Sequence, residues 1–84
     1  MNKIIVTGSA GFIGFHLSKF LLDRDFDVLG IDIMSDYYDV GLKNDRLKKL
    51  KLFNNFNFKK IDIADKESLG KIFNYYKPNK VVNL

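Results

Sequence analysis

Cysteine is missing from this 84-residue chain, and histidine and proline occur once each, as His16 and Pro78. Without cysteine there can be no disulfides, thiolate metal sites or cysteine nucleophiles. A single histidine also leaves a zinc site of the His/Cys kind out of reach, so no metal is expected. Long apolar runs are missing as well, because the stretch that follows Ile4-Ile5-Val6 is broken by Gly8, Gly11 and Gly14. A membrane span needs about 20 predominantly apolar residues, and a secretory signal needs an unbroken apolar run with a cleavage site behind it. The expectation is a cytoplasmic chain that does not engage a membrane.

What is present suits a small packed unit. The apolar share is 46%, with eight Phe and four Tyr to supply bulk. A domain near this size hides roughly 60–65% of the surface its unfolded chain exposes, so its stability is marginal. The net charge of +4 is uneven: Lys43, Arg46, Lys48, Lys49, Lys51, Lys59 and Lys60 crowd one stretch, opposed mainly by Asp45. Such a stretch can meet phosphate groups or nucleic acid. The plainer reading is a solvated, lysine-rich helix face. Phe53, Phe56 and Phe58 follow strand or core spacing and form no stacking platform, so no nucleic-acid partner is expected.

The chain alternates strand and helix. Lys3 to Thr7 is a short, nearly continuous apolar run, as in a strand buried on both faces. Ile13, Leu17, Phe20 and Leu21 fall at helical spacing, with His16, Lys19, Asp23 and Arg24 between them. Phe26 to Asp32 forms a second strand, and residues 34–41 a polar and aromatic loop with Gly41 as a break. Leu42, Leu47 and Leu50 mark a second helix, and Phe56 to Ile61 a third strand. Asp65 is a natural N-cap, followed by Glu67 in a first turn that favours acids. Leu69, Ile72, Phe73 and Tyr76 then form the buried stripe of a third helix, which must end before Pro78. Val81-Val82-Asn83-Leu84 starts a fourth strand. Alternation of this kind builds an α/β fold with a parallel sheet through right-handed crossovers.

The junction after the first strand reads Val6-Thr7-Gly8-Ser9-Ala10-Gly11-Phe12-Ile13-Gly14. Gly8 permits a sharp turn off the strand with a positive φ. Gly11 lets a pyrophosphate approach the amides at a helix N-terminus, and Gly14 lets the helix pack closely on the sheet. Asp32 closes the next strand, 24 residues after Gly8, about where an acid receives the hydroxyls of an adenosine ribose. A carboxylate there accepts from 2′-OH and 3′-OH and repels a 2′-phosphate. The pattern therefore points to NAD on the N-terminal half of a Rossmann-type doubly wound parallel sheet, βαβαβαβ, incomplete. The plain alternative for Asp32 is a strand-end aspartate.

These residues resemble the extended short-chain dehydrogenase/reductase superfamily, whose turn reads Thr-Gly-x-x-Gly-x-x-Gly. A longer and more specific block, Gly30-Ile31-Asp32 with Ser35-Asp36-Tyr37-Tyr38-Asp39-Val40, Leu42-Lys43 and Arg46-Leu47, is similar to the UDP-glucuronate 4-epimerase branch of the sugar-nucleotide epimerases. The resemblance implies that residues 1–84 are the first quarter or so of such an enzyme. The rest of the Rossmann domain and the substrate domain would then lie beyond residue 84. It implies backbone contacts from Phe12 and Ile13 to the pyrophosphate, Asp32 on the adenosine ribose, and Asp62 and Ile63 against the adenine. Lys43 is a phosphate or ribose contact, or a solvated helix lysine. Two positions depart from the family pattern: Ile33 replaces an Asn after the ribose aspartate, and Asp25 replaces a Gly that ends the first helix and tolerates a left-handed cap.

The resemblance also implies a UDP-sugar partner, a homodimer at full length, and epimerisation by transient oxidation at C4 of the sugar. It places the catalytic Tyr-x-x-x-Lys pair beyond residue 84, so no catalytic residue is expected here and the chain alone is expected to be inactive. Tyr76-Lys77-Pro78-Asn79-Lys80 imitates that pair, but Pro78 breaks the helical turn that the two side chains would have to share. Tyr76 is instead expected as helix-end core, and His16 as solvated. Rival readings are a sugar-nucleotide dehydratase or reductase of the same superfamily, or a non-catalytic NAD-binding module.

Overall fold

A computed structural model of the chain describes residues 2–33 and 40–84. Elements alternate as β1 (Lys3–Thr7), α1 (Phe12–Leu22), β2 (Asp27–Asp32), α2 (Val40–Leu50), β3 (Phe56–Lys60), α3 (Lys66–Tyr76) and β4 (Lys80–Val82). The four strands are parallel and lie in the order β3-β2-β1-β4. The chain therefore builds outward from β1 through β2 to β3, then crosses back to place β4 on the other side of β1. That reversal between β1 and β4 is a topological switch point, and ligands of such sheets settle outside the carboxyl ends of the strands there.

Side chains on a strand alternate between the two faces of the sheet, and the register carries that alternation across it. Ile4, Val28 and Phe56 form one row, and Val82, Val6, Gly30 and Phe58 another. Both rows lie under α1 and α2, where Ile4, Val6, Val28 and Phe56 join Ala10, Leu22, Leu47 and Leu50 in one buried cluster. Ile5, Leu29 and Ile31 face the other way and are covered by Ile61, Leu69, Ile72 and Tyr76. Two apolar faces explain why β1 reads as an unbroken apolar run.

Helix ends follow local chemistry. The Asp65 carboxylate accepts from the Ser68 amide at 3.1 Å and the Ser68 hydroxyl at 2.8 Å, which caps α3 and holds that carboxyl below its usual range. Lys48 and Lys49 occupy the last turn of α2, where the helix dipole favours cations. Asn55 donates to the carbonyls of Leu22, at 3.3 Å, and Phe26, at 2.7 Å, and so ties the α2–β3 turn to the end of α1.

The structure corrects several expectations. Gly41 does not break the chain but lies inside α2, while residues 34–39 of the expected loop fall outside the described residues. The buried stripe of α2 omits Leu42, which is 46% exposed. It runs instead through Lys43, Arg46, Leu47 and Leu50, at i, i+3, i+4 and i+7. In α3, Phe73 turns outward and Leu69, Ile72 and Tyr76 alone pack on the sheet. Asp25 does adopt the left-handed conformation, with φ 64°, and Lys77 does the same after α3, with φ 53°.

Candidate functional site

The turn between β1 and α1 is organised by backbone. Gly8 has φ +67°, a conformation that side chains disfavour, and its carbonyl accepts from the Gly11 amide at 3.0 Å. Gly14 lies directly over it: a Cβ at residue 14 would sit 2.1 Å from the Gly8 oxygen and 2.9 Å from Ser9 Cα. The close approach that requires glycine is thus to the turn itself, at the top of β1, and not to the body of the sheet as the motif alone suggests. The first bond of the helix ladder runs from Phe15 N–H to Gly11 C=O at 2.9 Å. The amides of Phe12, Ile13 and Gly14 precede it, at the positive end of the helix dipole. Gly11 is the N-cap, no side chain caps it, and the first turn holds no acid that would compete with an incoming anion.

Asp32 ends β2 beside this turn and is 5% exposed. Its Oδ2 accepts from the Ala10 amide at 3.1 Å, and its Oδ1 from Lys43 Nζ at 3.1 Å. Strand alternation makes both bonds possible, because Asp32 shares the face of Val28 and Gly30 that α1 and α2 cover. Arg46 completes the arrangement. Its Nη1 donates to the Ala10 carbonyl at 3.0 Å, so both polar groups of residue 10 are held by side chains from β2 and α2. Sequence reasoning missed Arg46. The readable signal was its place, with Lys43, on the stripe that continues into Leu47 and Leu50.

The other wall forms at the switch point. Thr7 Oγ1 donates to Asn83 Oδ1 at 2.7 Å and accepts from the Leu84 amide at 3.0 Å, which joins the carboxyl ends of β1 and β4. Between these walls lies a groove of about 470 Å³, lined by Gly8, Gly11, Phe12, Ile13, Gly14, Asp32, Lys43, Asp62 and Ile63 together with Thr7, Ile31, Ile33, Ile61 and Leu84. Every candidate binding residue of the sequence reading is in that lining. Phe12 and Ile13 line the groove and are about two-thirds exposed. Asp62 turns back to accept from the Ala64 amide at 2.9 Å, which shapes the segment after β3. Ile33, where the family pattern has Asn, brings an apolar side chain to the rim.

Tyr76 and Lys80 lie apart from this groove and are not one helical turn from each other. Tyr76 closes α3, Lys77 reverses the chain in the left-handed conformation, and Lys80 opens β4. The Tyr76 hydroxyl is buried without a hydrogen-bond partner. Burial, assisted by the charge of Asp27, pushes its pKa up to about 12. A phenol so placed is a packing group. His16 is exposed and makes edge-on contacts with the rings of Phe12, at 4.7 Å, and Phe15, at 5.1 Å. Among the described residues there is no cluster of metal-ligating side chains, and no helix is long and apolar enough to cross a membrane.

Comparison with known proteins shows what the chain is similar to. The family pattern described as GDP-mannose 4,6 dehydratase matches residues 5–84. Protein CapI of Staphylococcus aureus is 46% identical over 82 residues, which cover 98% of this chain and 24% of that protein. The UDP-glucuronate 4-epimerase of Thermodesulfobacterium geofontis is 45% identical over 84 residues, 100% of this chain and 26% of that protein. Among solved structures, UDP-glucuronic acid 4-epimerase from Bacillus cereus, in complex with UDP-glucuronic acid and NAD, superposes with a TM-score of 0.85 at 36% identity. The match covers 98% of this chain and 26% of that one. The chain thus spans about a quarter of the length of the curated relatives it matches.

Proposed function

The chain belongs to the GDP-mannose 4,6 dehydratase family, and from that membership we propose that it is the NAD-holding segment of a nucleotide-sugar epimerase of the UDP-glucuronate 4-epimerase kind. The observation that carries the proposal is the convergence, in one groove at the switch point, of the glycine turn, the Asp32 carboxylate and the Asp62–Ile63 segment. The donor set suits a dinucleotide: amides at a helix N-terminus for the pyrophosphate, a buried carboxylate for a ribose, and apolar Ile33, Ile61 and Ile63 for an adenine. The likeness to an NAD-containing structure at 36% identity supports the same reading.

In this reading Phe12, Ile13 and Gly14 direct their amides at the pyrophosphate, and the bare helix start leaves room for it. Asp32 receives the ribose hydroxyls while Ala10 N–H and Lys43 hold its two oxygens in place. Arg46 fixes the Ala10 carbonyl and with it the orientation of the turn. The bound dinucleotide supplies the hydride acceptor for oxidation at C4 of a UDP-sugar. This segment binds and orients, and the proton chemistry belongs to residues outside 1–84. The proposal extends to a homodimeric, cytoplasmic enzyme. A 4,6-dehydratase is the second reading, favoured by the matching family pattern; product analysis with UDP-glucuronate and with GDP-mannose separates the two.

Asp32→Ala in the native-length protein tests the site. A carboxylate bonded to ribose hydroxyls contributes roughly 1.5–3 kcal/mol, so NAD affinity falls by about ten- to a hundredfold. NADP moves the opposite way, because the charge that repels its 2′-phosphate is gone. Asp45→Ala, on the exposed face of α2, is the control and changes neither. Calorimetric titration of both cofactors reads the result, and an unchanged NAD affinity in the Asp32 variant removes the ribose contact.

A further inference from the structure

Asp32 is the part of the groove that rejects a 2′-phosphate, yet it does not stand there as a bare anion. Lys43 Nζ lies 3.1 Å from Asp32 Oδ1, with 11% of the lysine side chain and 3% of the aspartate side chain exposed. An ion pair so shielded from water is screened far less than one on the surface. Lys43 reaches it from the buried stripe of α2, and its stem lines the groove beside the carboxylate. Among the described residues lining the groove, Lys43 is the one cation, set against two carboxylates, Asp32 and Asp62. Arg46, one turn further along α2, is committed to the Ala10 carbonyl and does not line the groove.

We propose that Lys43 is a specificity-determining residue that sets how strongly the site prefers NAD over NADP. The inference rests on the dinucleotide reading of the groove and adds a regulator of its selectivity. Paired with Asp32, the ammonium offsets the carboxylate charge that a 2′-phosphate would meet, and it is itself a donor to that phosphate. For NAD the same ammonium steadies Asp32, whose oxygens keep acceptor sites for the ribose hydroxyls. Lys43 therefore weighs more on NADP than on NAD, a difference that a packing role would not produce. Lysine suits this better than arginine would at a fixed bidentate site, because a point charge on a flexible stem can turn from carboxylate to phosphate.

The test is calorimetric titration of NAD and NADP into the native-length protein freed of dinucleotide, as wild type, Lys43→Met and Lys43→Arg. In Lys43→Met, NADP affinity falls about tenfold or more while NAD affinity falls by less than about threefold. Lys43→Arg keeps the charge and returns the NADP-to-NAD ratio to within about threefold of wild type. Equal losses for both cofactors in Lys43→Met, or an unchanged ratio, overturn the inference while leaving the groove a dinucleotide site. A wild-type protein that binds neither cofactor overturns the dinucleotide reading and the inference with it.

Discussion

The two glycines Gly14 and Gly70 differ in what surrounds them, and that difference predicts opposite responses to the same substitution. Gly14→Ala places a methyl 2.1 Å from the Gly8 carbonyl oxygen, a backbone atom in a turn whose φ is already +67°. The helix start must move, at a cost at or above the usual 1–3 kcal/mol of overpacking. Melting temperature and dinucleotide affinity should fall together. Gly70 lies inside α3 with nothing within 4 Å of a built Cβ, so Gly70→Ala should raise stability by about 0.5–1 kcal/mol. Thermal melts of both variants decide the matter, and a harmless Gly14→Ala would mean that the turn is not packed as described. Tyr76 offers a pH test. Its folded pKa of about 12 exceeds the ordinary 10.0, so its contribution to stability is whole below pH 10 and is lost as pH rises toward 12. Tyr76→Phe removes that loss and, because the hydroxyl has no partner, costs little stability at neutral pH. Alkaline unfolding curves of the two proteins should diverge above pH 10. At this scale the glycine turn and Asp32 were legible in the sequence because their spacing is local. The bonds of Lys43 to Asp32 and of Arg46 to Ala10 join α2 to residues 11 and 36 positions away. They depend on where α2 lies over the turn, which no local pattern contains.

Each helix and strand was legible as an element, and the errors fell at ends and faces. Gly41 was read as a break because glycine weakens helices, yet α2 runs through it and gains its hold from Leu47 and Leu50 in the core. Leu42 was placed on the buried stripe by its apolar character. The stripe instead passes through Lys43 and Arg46, because charges that find partners can occupy a buried face. Asp25 was the better reading: a position where glycine suits the helix end, occupied by a residue that takes φ 64° regardless. The left-handed region costs an ordinary residue about 1–2 kcal/mol, and aspartate escapes part of that. Asp25→Gly should therefore stabilise the protein by about 0.5 kcal/mol while leaving dinucleotide affinity unchanged, since Asp25 precedes β2 at the end of the sheet remote from the groove. Paired melting and titration experiments check both halves. A drop in affinity would contradict the separation of the two ends.

For the molecule as a whole, alternation of elements predicted a parallel sheet and the glycine turn a Rossmann-type one, while the order β3-β2-β1-β4 is read from the structure. The two edges of that sheet are unlike. Exposed Lys59 and Lys60 guard β3, as charges on edge strands commonly do. The β4 edge carries Val81, 45% exposed, and on α1 Phe12, Ile13 and Phe20 also face solvent. Exposed apolar groups on a sheet edge and on a helix invite association. The isolated 84-residue chain should therefore self-associate at micromolar concentration, and sedimentation velocity should show species larger than a monomer. A sharp cooperative melt of a monodisperse monomer would contradict this.

The position of β1 between its partners also dictates an order in time. Asp32 and Ala10, which join β2 to the glycine turn, are 22 residues apart. Lys3 meets Asn79 across 76 residues, and Thr7 meets Leu84 across 77. Closing the longer loops costs more entropy, and contacts distant in sequence form late. The glycine turn and Asp32 are thus expected to come together while the far wall of the groove is still unmade. The groove is consequently expected to be complete only when the chain has finished folding, and a ligand that touched both walls would select such molecules.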